Sequence, residues 1–108
     1  MSQDRNVQDF IKDLVTSNDV VLFMKGNKFF PQCGFSARAV QMLKGSDAKF
    51  ETFDVLSDND VRQGIKEYAS WPTIPQLYIR GEFVGGSDIM MELYSSGELA
   101  TMVAPAAE

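Results

Sequence analysis

The sequence predicts an α/β fold built on a mixed four-stranded sheet with helices on both faces. Three observations lead there. The run Val20-Val21-Leu22-Phe23-Met24 is continuously apolar, as a strand covered on both faces requires. Helix-like and strand-like periodicities succeed one another as αβαβα and then change to ββα(α). The first two strand patterns are separated by a helix, which predicts parallel strands with a right-handed crossover. The last two are separated only by Arg80-Gly81, which predicts an antiparallel hairpin.

Each element has its own signal. Val7, Phe10, Ile11, Leu14 and Val15 place one apolar face on a first helix, which Ser17-Asn18-Asp19 breaks. The buried strand follows, then a polar loop from Lys25 to Gln32 that leads into Cys33. Phe35, Ala39, Val40, Met42 and Leu43 mark a second helix beginning at Gly34 and closed by Gly45. Phe50 to Val55 alternates as a second strand. Ser57 and Asp60 form a capping-box signature ahead of a third helix whose apolar face is Val61, Ile65, Tyr68 and Ala69. After the hairpin of Gln76–Ile79 and Glu82–Val84, Gly85-Gly86 punctuates the chain. Ser87 and Asp88 are candidate caps of a fourth helix bearing Ile89, Met90, Leu93 and Tyr94. Gly97 ends that helix, and Leu99, Met102 and Val103 suggest a short last one.

Composition bounds the function. The 108 residues fit one compact domain, 1–108, with 104–108 expected to fray as a tail. A hydrophobic share of 44% is enough for a core without staples. The single cysteine rules out an intramolecular disulfide, and the absence of histidine removes the commonest general base and metal ligand together. A formal charge of −5 argues against nucleic acid as a partner. No apolar segment is long enough for a bilayer, so no membrane is expected, and Met1 to Asn6 holds no apolar core of a signal peptide. A free thiol without an export signal suits the cytoplasm. A transit peptide already removed would leave no trace, so an organelle matrix stays open.

Cys33 stands between a buried strand and the mouth of a helix, where unpaired N–H groups and the helix dipole favour an anion. A thiol there should have a lowered pKa. The competing reading is a small buried hydrophobe. Against it, Cys33 follows a polar loop, precedes a glycine and lies off the apolar stripe. Three residues on, where a dithiol oxidoreductase would carry its second cysteine, stands Ser36, which cannot resolve a mixed disulfide. Its bland role is a hydrogen bond within the first helical turn. Trp71-Pro72-Thr73-Ile74-Pro75 fixes an extended, non-helical segment and makes Ile74-Pro75 a candidate cis bond. A cis bond there would free the Ile74 backbone to receive a peptide-like ligand as an added strand, the alternative being a rigid turn. Gly85-Gly86-Ser87-Asp88 combines close backbone approach with a helix N-terminus, although Gly-Gly before a helix cap is usually an ordinary turn. Lys25 and Arg62 say little singly.

Taken together, the motifs resemble those of the monothiol glutaredoxin family, over nearly the whole chain. The residues that carry the resemblance are Phe23-Met24-Lys25-Gly26, Pro31-Gln32-Cys33-Gly34-Phe35-Ser36, Val61-Arg62, Lys66-Glu67-Tyr68, Trp71 to Leu77 and Gly85 to Ile89. The resemblance implies a thioredoxin fold with Pro75 cis and a glutathione site. In that site Lys25 lies near the Cys33 thiolate, and Arg62 takes the glycyl carboxylate. Ile74 pairs by its backbone with the cysteinyl residue, and Ser87 and Asp88 hold the γ-glutamyl end. It also implies an iron–sulfur carrier or sensor that partners BolA-type proteins. Two departures stand out. Members often carry proline where this chain has Lys28, followed here by Phe29-Phe30, and some relatives carry cysteine where this chain has Ser87.

An ordinary 2Fe–2S cluster needs four thiolates, and one chain supplies one. The leading expectation is therefore a homodimer with Cys33 from each protomer and two glutathione thiols, labile and suited to delivery to apo iron–sulfur acceptor proteins. The alternative is a glutathione-dependent thiol–disulfide oxidoreductase working through Cys33 alone. A third is a binding module in which Cys33 is merely structural.

Overall fold

A computed structural model of the protein describes residues 6–105. The expectations for residues 1–5 and 106–108 lie outside the described residues. In chain order the elements are α1 (Val7–Ser17), β1 (Val20–Met24), α2 (Gly34–Gly45), β2 (Glu51–Asp54), a 3-10 turn (Val55–Ser57), α3 (Asn59–Ala69), β3 (Gln76–Ile79), β4 (Glu82–Gly85), α4 (Ser87–Ser96) and α5 (Glu98–Val103). The strands form one mixed sheet in the order β2-β1-β3-β4. Strand β1 runs parallel to β2, with Val21 opposite Glu51 and Met24 opposite Asp54. It runs antiparallel to β3, with Val20 opposite Ile79 and Phe23 opposite Gln76.

All five residues of β1 are buried, and their alternation divides the core into two layers. Val20, Leu22 and Met24 join Ala39, Val40 and Leu43 of α2, Met90 of α4 and Leu99 of α5 on one face. Val21 and Phe23 join Ile11 and Val15 of α1, Val61 and Ile65 of α3 and Tyr78 of β3 on the other. The hairpin turn has Arg80 at φ 50° and Gly81 at φ 84°, the left-handed pair that matches the twist of two adjacent strands. Arg80 donates to the carbonyls of Met102 at 3.0 Å and Ala104 at 2.7 Å, so Ala104, expected in the frayed tail, is held. Among the described residues no helix is long and apolar enough to cross a membrane.

Three local expectations need correction. Phe35 does not join the apolar face of α2 and is 56% exposed, while Ser36 occupies the core-facing position. The cap of α3 is Asp58, whose carboxylate accepts from the Val61 N–H at 3.2 Å. The Ser57 hydroxyl instead donates back to the Asp54 carbonyl at 2.7 Å. Ser87 and Asp88 lie inside the first turn of α4, whose cap position is Gly86 with no side-chain capping bond. Gly45 is the last residue of α2, as expected, and a Cβ there would lie 2.5 Å from the Tyr94 hydroxyl, so the exposed Tyr94 side chain would have to shift.

Candidate functional site

Cys33 occupies the cap position of α2, half-buried, with extended backbone at φ −154° and ψ 139°. The neutral thiol closes no capping hydrogen bond. The backbone N–H of Ser36 lowers its pKa below the ordinary thiol value, burial opposes this, and the Phe35 N–H, the Lys25 ammonium and the Ser36 hydroxyl add to the lowering. A site facing the unpaired N–H groups of a helix mouth prefers the thiolate. Folding lowers this pKa. The thiolate's contribution to stability is therefore complete above the unfolded thiol's pKa and is lost as pH falls through the folded one. Alkylation of Cys33 by iodoacetamide should accordingly titrate with a midpoint below that of free cysteine. A midpoint at or above the free thiol's would contradict the placement.

The loop before Cys33 is a closed turn. The Asn27 side-chain oxygen accepts from the N–H groups of Phe29 at 2.8 Å and Phe30 at 2.9 Å, and Gly26 bridges to Pro31. The Gln32 N–H donates to the Lys25 carbonyl at 2.9 Å. Gly26 has φ 85°, and a Cβ on it would fall on the Phe30 carbonyl oxygen and 2.7 Å from the Gln32 nitrogen. Two further anchors join this turn to the body of the fold. The Asp54 carboxylate accepts from the Gly26 and Leu56 N–H groups, each at 2.9 Å. Lys28 donates to the Phe50 carbonyl at 2.6 Å and lies 4.9 Å above the Phe50 ring. The Ser36 hydroxyl, fully buried, accepts from the Lys25 N–H at 3.1 Å. Its bond therefore crosses from α2 to the end of β1, rather than staying within the first helical turn.

Lys25, Arg62, Lys66, Pro72, Thr73 and Ile74 line one cleft of about 200 Å³. Its wall is the Trp71–Pro75 segment, in which the Ile74–Pro75 bond is cis. The segment is held from two sides. The Trp71 N–H donates to the Lys66 carbonyl at 2.9 Å, just past Ser70 in the left-handed conformation at the end of α3. Gln76, fully buried, donates to the carbonyls of Trp71 at 3.0 Å and Thr73 at 3.3 Å, and its amide oxygen accepts from the Tyr78 hydroxyl at 3.0 Å. Buried polar groups paired in this way fix a unique loop path. Behind the segment, a Cβ on Gly86 would sit 3.2 Å from the Trp71 indole nitrogen and 3.4 Å from the Pro75 carbonyl oxygen. A side chain there would press on both and push the N-terminus of α4 outward by a few tenths of an ångström unless they gave way.

The structure thus gathers Lys25, Arg62 and Ile74 in one cleft, with Lys25 also acting on Cys33. Ser87 and Asp88 are not in its lining and stand at the start of α4, just after Gly86, which approaches the Trp71–Pro75 segment. A larger hollow of about 600 Å³ lies between the β3–β4 hairpin and α4–α5, lined by groups such as Phe83, Ile89 and Met102, so size alone does not mark the chemistry. Sequence reasoning missed Lys66 as a third cation, although its place four residues after Arg62 on α3 puts both on one helical face. Gln76 and Asp54 were also missed as organisers. No local pattern distinguishes them from ordinary strand residues.

Among the described residues no three His, Cys, Asp or Glu side chains gather to hold a metal. The only thiol in the chain is that of Cys33. The donor set therefore fits a metal group completed from outside the chain, and does not fit one held by the protein alone.

A single polarised thiol at a helix mouth, beside a cis-proline segment and on a sheet ordered β2-β1-β3-β4, defines the thioredoxin-like class of proteins. Comparison with known proteins narrows it. The glutaredoxin family profile matches residues 20–84. The chain is 62% identical over 93 residues to an "uncharacterized monothiol glutaredoxin ycf64-like" of Synechocystis, covering 86% of this chain and 87% of that protein. It is 63% identical to a chloroplastic monothiol glutaredoxin of rice over 86 residues, 80% of this chain and about half (51%) of the rice protein. The solution structure of reduced apo GrxS14 from poplar superposes with TM-score 0.81 at 54% identity, covering 95% of this chain and 94% of that one. A buckwheat glutaredoxin–glutathione complex superposes with TM-score 0.79 at 25% identity, covering 90% and 86%. The chain belongs to the monothiol glutaredoxins.

Proposed function

We propose that this glutaredoxin carries a labile 2Fe–2S cluster between two copies of itself, with two Cys33 thiolates and two glutathione thiols as the four ligands. The observation that carries the reading is one activated thiol beside a cation-lined cleft, in a chain with no second thiol and no histidine. Glutathione is the co-ligand a glutaredoxin cleft implies, and the buckwheat relative is a complex with it. Lys25 sits near the shared thiolates, Arg62 with Lys66 receives the glycyl carboxylate, and Ile74 pairs with the cysteinyl backbone. Ser87 and Asp88 meet the γ-glutamyl end. With half its ligands exchangeable, the cluster is cargo for apo iron–sulfur acceptors, or a signal of iron supply, and a BolA-type protein is a candidate replacement for one protomer. The expected setting is reducing, either the cytoplasm or an organelle matrix.

A second reading rests on the same lowered pKa. The Cys33 thiolate attacks the glutathione sulfur of a mixed disulfide and releases the substrate thiol. A second glutathione thiolate then attacks the glutathione sulfur bound to Cys33, which breaks that disulfide, releases the Cys33 thiolate and forms glutathione disulfide. Both readings are tested by anaerobic reconstitution with iron, sulfide and glutathione, following visible absorbance and molecular mass. The cluster reading expects a coloured dimer only when glutathione is present. A colourless monomer under these conditions would overturn it, and rapid turnover of a small mixed disulfide would put the second reading first.

A further inference from the structure

Phe29, Phe30 and Phe35 are 75%, 72% and 56% exposed, the three most exposed large apolar side chains of the described residues. All three flank Cys33 in sequence. With consecutive Cα atoms 3.8 Å apart, the Phe29 and Phe30 Cα atoms lie no more than about 15 Å and 11 Å from that of Cys33. We propose that these rings form an apolar rim about the thiol that a second copy of this chain covers when the two share a cluster. The inference rests on the shared-cluster reading above.

Three observations favour a second copy as the occupant. The site is incomplete in one chain, because a partner must bring another Cys33. The face beside the thiol carries the cations Lys25, Arg62 and Lys66, so two copies repel unless an anion lies between them. A thiolate-ligated cluster with two glutathione molecules is such an anion and is complementary to both faces. The cations are then engaged with it, which leaves direct adhesion between the proteins to uncharged groups, and the rings are the uncharged groups at the rim. Third, the rings are presented by a turn that is already fixed. The Asn27 side chain holds the Phe29 and Phe30 N–H groups, and Lys28 ties the turn to Phe50. Docking a preordered turn costs little conformational freedom. Three rings per copy cover too little area for a permanent interface, so the contact is reversible.

The test compares the wild type with the Phe29→Ser, Phe30→Ser double variant after anaerobic reconstitution with iron, sulfide and glutathione. Each is diluted while cluster absorbance and sedimentation are followed. Both side chains are exposed, and the Asn27 bonds use backbone N–H groups, so the variant keeps its turn. Phe29→Ser alone serves as a milder form, and Met91→Ser, exposed on α4, serves as the control. The expected result is the same cluster content per Cys33 at high concentration. The dimer should then dissociate at a concentration at least tenfold higher in the double variant, with the control unchanged. An unchanged midpoint in the double variant overturns the rim while leaving the shared-cluster reading intact. A wild type that never forms a cluster-bearing dimer overturns that reading first, and the rim with it.

Discussion

Cys33→Ser is expected to abolish alkylation and cluster retention while raising the melting temperature. The sulfur is the chain's one thiolate, so its loss leaves no cysteine ligand for an iron–sulfur cluster. The stability effect runs the other way because of where Cys33 sits. It has cap-like backbone angles at the start of α2, and its neutral thiol makes no capping bond, although the thiolate is favoured by the Ser36 and Phe35 N–H groups. Serine is among the preferred residues at that position, and its hydroxyl oxygen accepts from the N–H two or three residues on. The gain is about 1 kcal/mol. For a domain of this size that corresponds to an upward shift of roughly 4 °C or more. Calorimetry of the reduced apo proteins at neutral pH checks the sign. A lower melting temperature would mean that the thiolate contributes more to the helix mouth than a hydroxyl cap does. Glutathione affinity should survive in part, because Lys25, Arg62 and Ile74 are untouched.

Gly26→Ala is expected to destabilise the protein by about 3–5 kcal/mol and to return the reactivity of Cys33 toward that of a free thiol. A left-handed residue with a side chain costs about 1–3 kcal/mol by itself. At φ 85° the added carbon would also meet the Phe30 carbonyl oxygen and the Gln32 nitrogen, which are backbone atoms and cannot turn aside. Relieving the clash opens the turn. The Asp54–Gly26 and Gln32–Lys25 hydrogen bonds then go, at about 1 kcal/mol each. Urea unfolding measures the first effect and the pH profile of alkylation the second. Gly34→Ala is the matched control, because a Cβ there has no neighbour within 4 Å and the residue has no left-handed φ. Equal losses in the two variants would show that the turn's closure is not what positions the thiol.

The sheet and its helices were legible because their signals are local and repeated. Five consecutive apolar residues found β1, and Arg80-Gly81 found the hairpin turn that closes β3 on β4. Periodicity failed at Phe35 and Ser36. The apolar residue there points outward, and the hydroxyl is buried because it accepts the Lys25 N–H from the end of β1. Such a bond joins residues eleven apart, and no spacing rule announces it. The cap of α3 was misplaced by one residue because Ser57 and Asp58 are both good caps, and Ser57 is already committed to the Asp54 carbonyl. At the site, Cys33 could be found from its place between strand and helix. The gathering of Lys25, Arg62 and Ile74 into one cleft was expected only through the family resemblance. Lys66 and Gln76 act through contacts that form only after α3 and the Trp71–Pro75 segment have met.

Strand β1 gives the two halves of the site a common fate. The thiol rides on α2, in the layer packed against Val20, Leu22 and Met24. Arg62 and Lys66 ride on α3, in the layer packed against Val21 and Phe23. The helices lie on opposite sides of a wall one strand thick, so the spacing between sulfur and cations is set by the pleat of that strand, which cannot stretch or slide. A disturbance of either layer is felt in the other as a loss of gauge, like a calliper whose two jaws share one beam.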